Sequence, residues 1–300
     1  MKNFIKTLFA VLFGNAIFFG VLFFILVLIG IGAGMSGKSG KLKLSDNAIL
    51  NLNLKTGLSD LSQKQDLKIN LGGGSENPAS IFDILNLIKR AKADDDIKAL
   101  WISMNLNSEL SYAQIDLIRD AIEDFKSSKK PVMAYGEMAS QKMYYLGSVA
   151  DKVYINPNGG MDVRGFAAQL TFFKKTLDKL EIQPQIFYAG KFKSATESLR
   201  LEKMSEANKV QVRELLTDVS GNVLSKIAKD RRIDLESLND AINNMKSNIP
   251  ADALASKLID GAKYADEVEM EFKKALSLDS AATLDVVSVW KYMDEMNFYR

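Results

Sequence analysis

No charged residue occurs between Lys6 and Lys38, and within that gap the stretch Leu8–Ile31 is rich in Phe, Leu, Ile and Val. A bilayer core is spanned by roughly 20 apolar residues in a helix, so the run is long enough to cross with some tilt. The apolar region of a cleaved secretory leader is shorter, about 7–15 residues. Residues 1–35 therefore read as an uncleaved transmembrane signal anchor crossing once. Lys2 and Lys6 ahead of the run favour a cytoplasmic N-terminus, and Lys38, Lys41 and Lys43 behind it pull the other way. On the first reading the rest of the chain lies on the extracytoplasmic, periplasmic side of the inner (cytoplasmic) membrane.

Two absences narrow the chemistry of that remainder. The chain has no cysteine, which excludes disulfides, thiolate nucleophiles and zinc–cysteine or iron–sulfur sites. It has no histidine either, which excludes a Ser-His-Asp triad, a Cys-His pair and a histidine metal site. Acid–base work falls to Lys, Asp, Glu or Tyr. No cofactor or metal site is expected. A net charge of +2 carries no nucleic-acid footprint.

Past the anchor, residues 36–46 (SGKSGKLKLSD) form a polar juxtamembrane linker. AILNLNL (48–54) alternates apolar and polar residues and reads as a first strand with Ile49 or its neighbours facing a core. LGGGSENP (71–78) reads as a connector, because no Gly-Lys-Ser/Thr follows its glycines as a phosphate loop requires. Asn77 and Pro78 suit a helix start, with Ile81, Ile84, Leu85 and Ile88 on one face. IKALWISM (97–104) has the continuous apolar character of a buried strand. Ser111 and Gln114 have capping-box spacing ahead of Ile115, Ile118, Ile122 and Phe125. The strand VMAYG (132–136), a helix over 140–150 and the strand KVYI (152–155) follow. Strands alternating with helices through short connections predict a parallel α/β fold. The second half is more helical: 170–180 is amphipathic, PQIFYAG (184–190) reads as a strand, Ser205 caps a long helix, and another covers about 234–246.

The segment YAGKFKSATES (188–198) places Lys191 and Lys193 two residues apart after a strand. A lysine serves as a general base only when burial or a neighbouring cation brings its pKa toward neutrality. Spacing alone does not separate that role from two solvated surface lysines. Phe172, Phe173 and Phe187 are open to two readings, core packing or an apolar substrate groove. Trp101 and Trp290 read as core or interface anchors, Asp94–Asp96 as a solvated helix terminus, and Lys229, Arg231 and Arg232 as a solvated helix end.

DDDIKALWISMN (94–105), KKPVMAYGE (129–137), YYLGSVADKVYINPNGGMDVRGF (144–166) and AGKFKSATES (189–198) occur in an order that resembles the signal peptide peptidase A (protease IV) family. The resemblance is to the N-terminal half of its long bacterial type. It continues from KMSEANKVQVRELL (203–216) to ALASKLIDGAKYADEV (253–268). It implies a crotonase- and Clp-protease-like repeat with a helical extension over 47–280. It also implies an extracytoplasmic homo-oligomer that hydrolyses peptides, signal-peptide remnants among them, with a serine nucleophile and a lysine base. The family lysine directly precedes Ser-Ala, which is Lys193 here, with Lys191 a neighbour. Repeats that carry the nucleophile read Ser-Gly-Gly-Tyr-Tyr; counting back from Tyr144 puts Gln141 at the serine position and leaves Ser140 one residue out of register. NLNSEL (105–110) stands where a glycine pair would offer N–H groups to an oxyanion. The resemblance thus implies that this half supplies the lysine, that a second repeat supplies the serine, and that 281–300 begins the linker to it. A non-catalytic scaffold of the same fold is the alternative reading. An acyl-CoA enzyme sharing the fold is a third, against which the anchor weighs.

Overall fold

IKALWISM becomes a central strand because its side chains are apolar on both faces, and a parallel sheet is covered on both faces. In the computed structural model, which describes residues 2–35, 44–54, 57–60 and 79–295, six strands make one sheet. They are β1 (Ala48–Leu52), β2 (Ile97–Met104), β3 (Val132–Ser140), β4 (Lys152–Asp162), β5 (Gly261–Ala262) and β6 (Asp285–Ser288), in the order β5-β4-β3-β2-β1-β6 and parallel throughout. The predicted parallel α/β class holds. β1 forms where expected, with Ala48, Ile49, Leu50 and Leu52 fully buried and β2 and β6 on either side.

Two covers close the sheet. Ile49, Ala99, Trp101, Met133, Tyr135 and Tyr154 form one face and pack against Val268 and Phe272 of α10 (Ala265–Ala275). The alternate set in β2, Leu100, Ile102 and Met104, is buried on the other side. There α2 (Ile81–Ala93), α3 (Tyr112–Lys126) and α4 (Gln141–Gly147) pack in sequence, with α4 against β2 and β3. Ser111 and Gln114 close the predicted capping box on α3. The cap of α2 is Ser80, boxed with Asp83, rather than Asn77; Asn77 and Pro78 lie outside the described residues, as do 61–76 and most of the 36–46 linker.

Five further helices, α5 (Lys174–Lys179), α6 (Glu197–Arg200), α7 (Glu206–Arg231), α8 (Leu235–Asn243) and α9 (Pro250–Ala255), carry the chain to β5. Ser205 caps α7 as expected, its Oγ accepting from the Asn208 N–H. Apart from Asn208 in its first turn, α7 buries only residues of its last third, Val223, Leu224, Ile227 and Ala228, while Val210 and Leu215 are exposed. Arg231 does not end in solvent: its guanidinium is 2.7 Å from the Asp260 carboxylate. PQIFYAG (184–190) forms no strand, and Phe187 is 95% exposed. The expected linker over 281–300 is also corrected. β6 pairs with β1, and in α11 (Val289–Glu295) the Tyr292 hydroxyl donates to Asp94 at 2.6 Å, so the domain runs to at least Glu295.

α1 (Lys2–Met35) belongs to a unit separate from the sheet domain. Its Asn3–Val27 stretch has a mean hydropathy of 2.6 and buries nothing against protein. Its 25 residues, at ~1.5 Å each, exceed the ~30 Å of a hydrocarbon core. By length and composition α1 is a membrane-crossing or signal-sequence helix.

Candidate active site

β3 runs into α4 without a loop, which puts Ser140 and Gln141 at a helix start at the carboxyl end of the sheet. Ser140 is the N-cap: its N–H donates to the Asn105 carbonyl at 3.1 Å, and its Oγ accepts from the Met143 N–H at 3.4 Å. The Gln141 carboxamide is fully committed. Oε1 accepts from the backbone N–H groups of Arg164 (3.0 Å) and Gly165 (2.7 Å), and Nε2 donates to the Tyr112 hydroxyl (3.0 Å) and the Gly165 carbonyl (3.1 Å). A primary amide has two acceptor lone pairs and two donor hydrogens, so no capacity is left. Gly165 needs its missing Cβ here, with φ +82°.

At the position where the resemblance expects a nucleophile the structure holds a carboxamide, a group that cannot attack a carbonyl. Two adjacent N–H donors, of the kind that would stabilise an oxyanion, are spent on the amide oxygen. After β2, Asn105 makes a side-chain bond to Asn53 (3.2 Å) where the glycine pair is absent. The glutamine itself was readable from its register. Its lock on 164–165 was not, since only the extension of β4 past Gly159 and Gly160 brings those residues back. A Cβ on either glycine would collide with backbone oxygens, of Glu137 and Asn248 respectively.

An aromatic and ionic cluster supports α4. Tyr112 stacks at 6.0 Å on Tyr145 and 5.3 Å on Phe166. Burial holds its hydroxyl above the usual range, with the Gln141 hydrogen bond pulling the other way. Tyr145 donates to Asp116, and Arg119 lies 4.2 Å over its ring while pairing with Asp230 of α7. Burial, and then the Asp116 carboxylate, push the Tyr145 phenol up. Tyr144 is fully buried and donates to the Leu258 carbonyl at 2.7 Å. Phe166 also walls a groove of about 520 Å³ floored by Val212, Leu216 and Leu235.

Lys193 stands apart from this cluster. Its N–H donates to the Gly190 carbonyl at 3.3 Å in a turn where Gly190 has φ +99°. Its side chain is exposed, as is that of Lys191, whose Nζ lies 5.6 Å from the Phe192 ring. The three residues that bond the Gln141 amide, Tyr112, Arg164 and Gly165, do not include Lys193. The chain thus has a lysine turn and a blocked helix start, and does not join them. Phe173 and Phe187 are exposed and Phe172 is half-buried, so core packing does not account for them. Trp101 is buried as expected and Trp290 half-buried. Asp94 is the C-cap of α2 and Asp95 and Asp96 are exposed, as expected of a solvated helix terminus.

Residues 124–279 match the model for peptidase family S49. "Protease 4" of Haemophilus influenzae is 34% identical over 224 residues, 73% of this chain and 36% of that protein. "Protease 4" of Salmonella typhi is 30% identical over 65% of this chain and 33% of its own length. The chloroplastic "Serine protease SPPA" of Arabidopsis thaliana is 28% identical over 69% and 30%. The chain therefore spans about a third of the length of the curated relatives it matches. Among solved structures, a mutant of the 1510-N membrane-bound stomatin-specific protease aligns over 82% of this chain and 98% of its own, with 11% identity and a TM-score of 0.43. An enoyl-CoA hydratase from Mycobacterium avium subsp. paratuberculosis aligns over 73% and 72%, with 16% identity and a TM-score of 0.34. Neither structural likeness is close enough to carry an inference.

Proposed function

This chain belongs to peptidase family S49, and from that premise we propose that it is the lysine-bearing portion of a membrane-anchored Ser/Lys endopeptidase acting on cleaved signal peptides. The observation that carries the reading is the division of the site. Lys193 directly precedes Ser194-Ala195, and the register of the nucleophile holds Gln141, whose amide is saturated. In this reading a second repeat presents the serine. Neutral Lys193 Nζ takes the Oγ proton as the oxygen attacks the peptide carbonyl, then returns it to the leaving amine; water hydrolyses the resulting ester. The burial that a lysine base requires comes from the surface that covers the exposed turn. Assembly with that repeat, and with further copies, also covers Phe187 and the neighbouring Leu180 and Ile182, all exposed here.

In the protease that includes its nucleophile, Lys193→Ala should lower peptide hydrolysis by about 10²–10⁴-fold, the usual contribution of a general base. Lys191→Ala should cost far less. Equal losses, or the reverse order, would remove Lys193 from the role. The scaffold alternative draws on the same exposure of Lys193, and on it both variants leave activity unchanged. For the anchor we propose a single crossing of the inner membrane with the domain outside the cytoplasm. Protease added to spheroplasts should then digest the domain; digestion only after lysis would reverse the topology.

A further inference from the structure

Glu197 is only 3% exposed although the segment around it is open to solvent. Its carboxylate accepts from the Ser205 N–H (3.1 Å), the Ser205 hydroxyl (2.5 Å) and Asn208 Nδ2 (3.0 Å), and Arg200 Nη2 lies 3.8 Å away. Burial opposes its ionisation, but the hydrogen bonds from Ser205 and Asn208 and the charge of Arg200 outweigh that and hold the carboxyl below its ordinary range. Ser205 caps α7, so the side chain fastens the end of the lysine turn to the start of the longest helix in the domain. Arg200 reaches the opposite way. Its guanidinium lies 4.0 Å over the Tyr188 ring, and its Nε donates to Thr196 Oγ1 at 3.3 Å.

Between Tyr188 and Glu197 the chain makes no sheet bond. Its own links are two turn bonds, Lys193 N–H to the Gly190 carbonyl (3.3 Å) and Glu197 N–H to the Ser194 carbonyl (2.9 Å). Both ends of the turn are therefore gripped through one carboxylate: directly at 197, and at 188 through Arg200.

We propose that Glu197 is a positioning residue for Lys193, fixing with Arg200 the two ends of the 188–197 turn and hence the height at which the lysine meets its partner serine. This rests on the reading of Lys193 as the general base. A displacement of about 1 Å in a catalytic group can cost on the order of 10²-fold, and four polar partners on one buried carboxylate restrict displacement on that scale.

The test uses the protease with its nucleophile present, measuring kcat and KM for Glu197→Ala and Glu197→Asp beside Lys193→Ala. Glu197→Ala should lower kcat about 10²-fold with KM little changed, and Glu197→Asp, which keeps the charge, should recover part of the loss. Amide exchange in the 300-residue chain should rise over 189–205 and stay unchanged in the sheet. Loss of kcat with no recovery in Glu197→Asp, or exchange rising across the sheet, would assign Glu197 to folding alone and overturn the proposal. Unchanged kcat in Glu197→Ala beside an inactive Lys193→Ala would overturn it while leaving the base reading intact. An active Lys193→Ala would bring down the base reading itself.

Discussion

IKALWISM at 97–104 and PQIFYAG at 184–190 look alike as sequences, short and apolar and bounded by turn residues, yet only the first is a strand. β2 has β1 and β3 on either side and buries Trp101, Ile102 and Met104. The second segment has no strand beside it, and its Phe187 is almost wholly in solvent. The sheet is bordered by β5 and β6, and 184–190 joins neither edge. Apolar content creates a demand for burial; topology decides whether this chain meets it. In the sheet the demand is met internally. Around the lysine turn it is left to whatever covers the turn, and the turn is held by Glu197 in place of a ladder.

The comparison can be broken by truncating one aromatic in each region. Phe272→Ala removes a fully buried ring stacked 5.4 Å from Trp101 and should destabilise the domain by about 3–5 kcal/mol in denaturant unfolding. Phe187→Ala should lie within about 0.5 kcal/mol of the parent. A large loss from Phe187→Ala would show that 184–190 is packed in the isolated chain after all.

A smaller effect sharpens where the two regions join. Asp260 accepts from the Val153 N–H of β4 at 2.8 Å and pairs with Arg231 at the end of α7. Burial pushes its carboxyl up, but the Val153 hydrogen bond and Arg231 outweigh it, so the pKa lies below that of the unfolded chain. Stability from a depressed carboxylate is present above the unfolded value, about 3.9, and is lost as pH falls through the folded value. Asp260→Asn should cost about 2–3 kcal/mol at neutral pH, at or below the low end for breaking a buried pair because the carboxylate is partly exposed. Its deficit should shrink below about pH 4. A deficit that stays constant down to pH 2 would mean that the charge contributes nothing.

The sheet and its caps were legible because their signals are local. Ser111 and Gln114 lie three apart and need no partner from elsewhere, and β2 declares itself by composition. What failed was long-range. Pro78 drew the start of α2 toward Asn77, whereas Ser80 and Asp83 close the box. DVVS at 285–288 is too short to be recognised as a strand until β1 is seen beside it. At the site, Lys193 and the misfit of Gln141 are what the family resemblance implies, read off its motifs. The four bonds of the Gln141 amide and the burial of Glu197 arise from residues 8 to 29 positions away, and no local pattern announces them.

The divided site is tested most directly by exposing the 300-residue chain to a serine-directed acylating probe and a peptide substrate, alone and then with the separately expressed nucleophile-bearing repeat. The account predicts neither labelling nor cleavage by this chain alone, because Ser140 is one residue out of the nucleophile's register and Gln141 cannot attack. Labelling of the added repeat, and cleavage only in the mixture, should follow. Stoichiometric labelling of this chain that disappears in Ser140→Ala would contradict the account and show that it carries a nucleophile of its own.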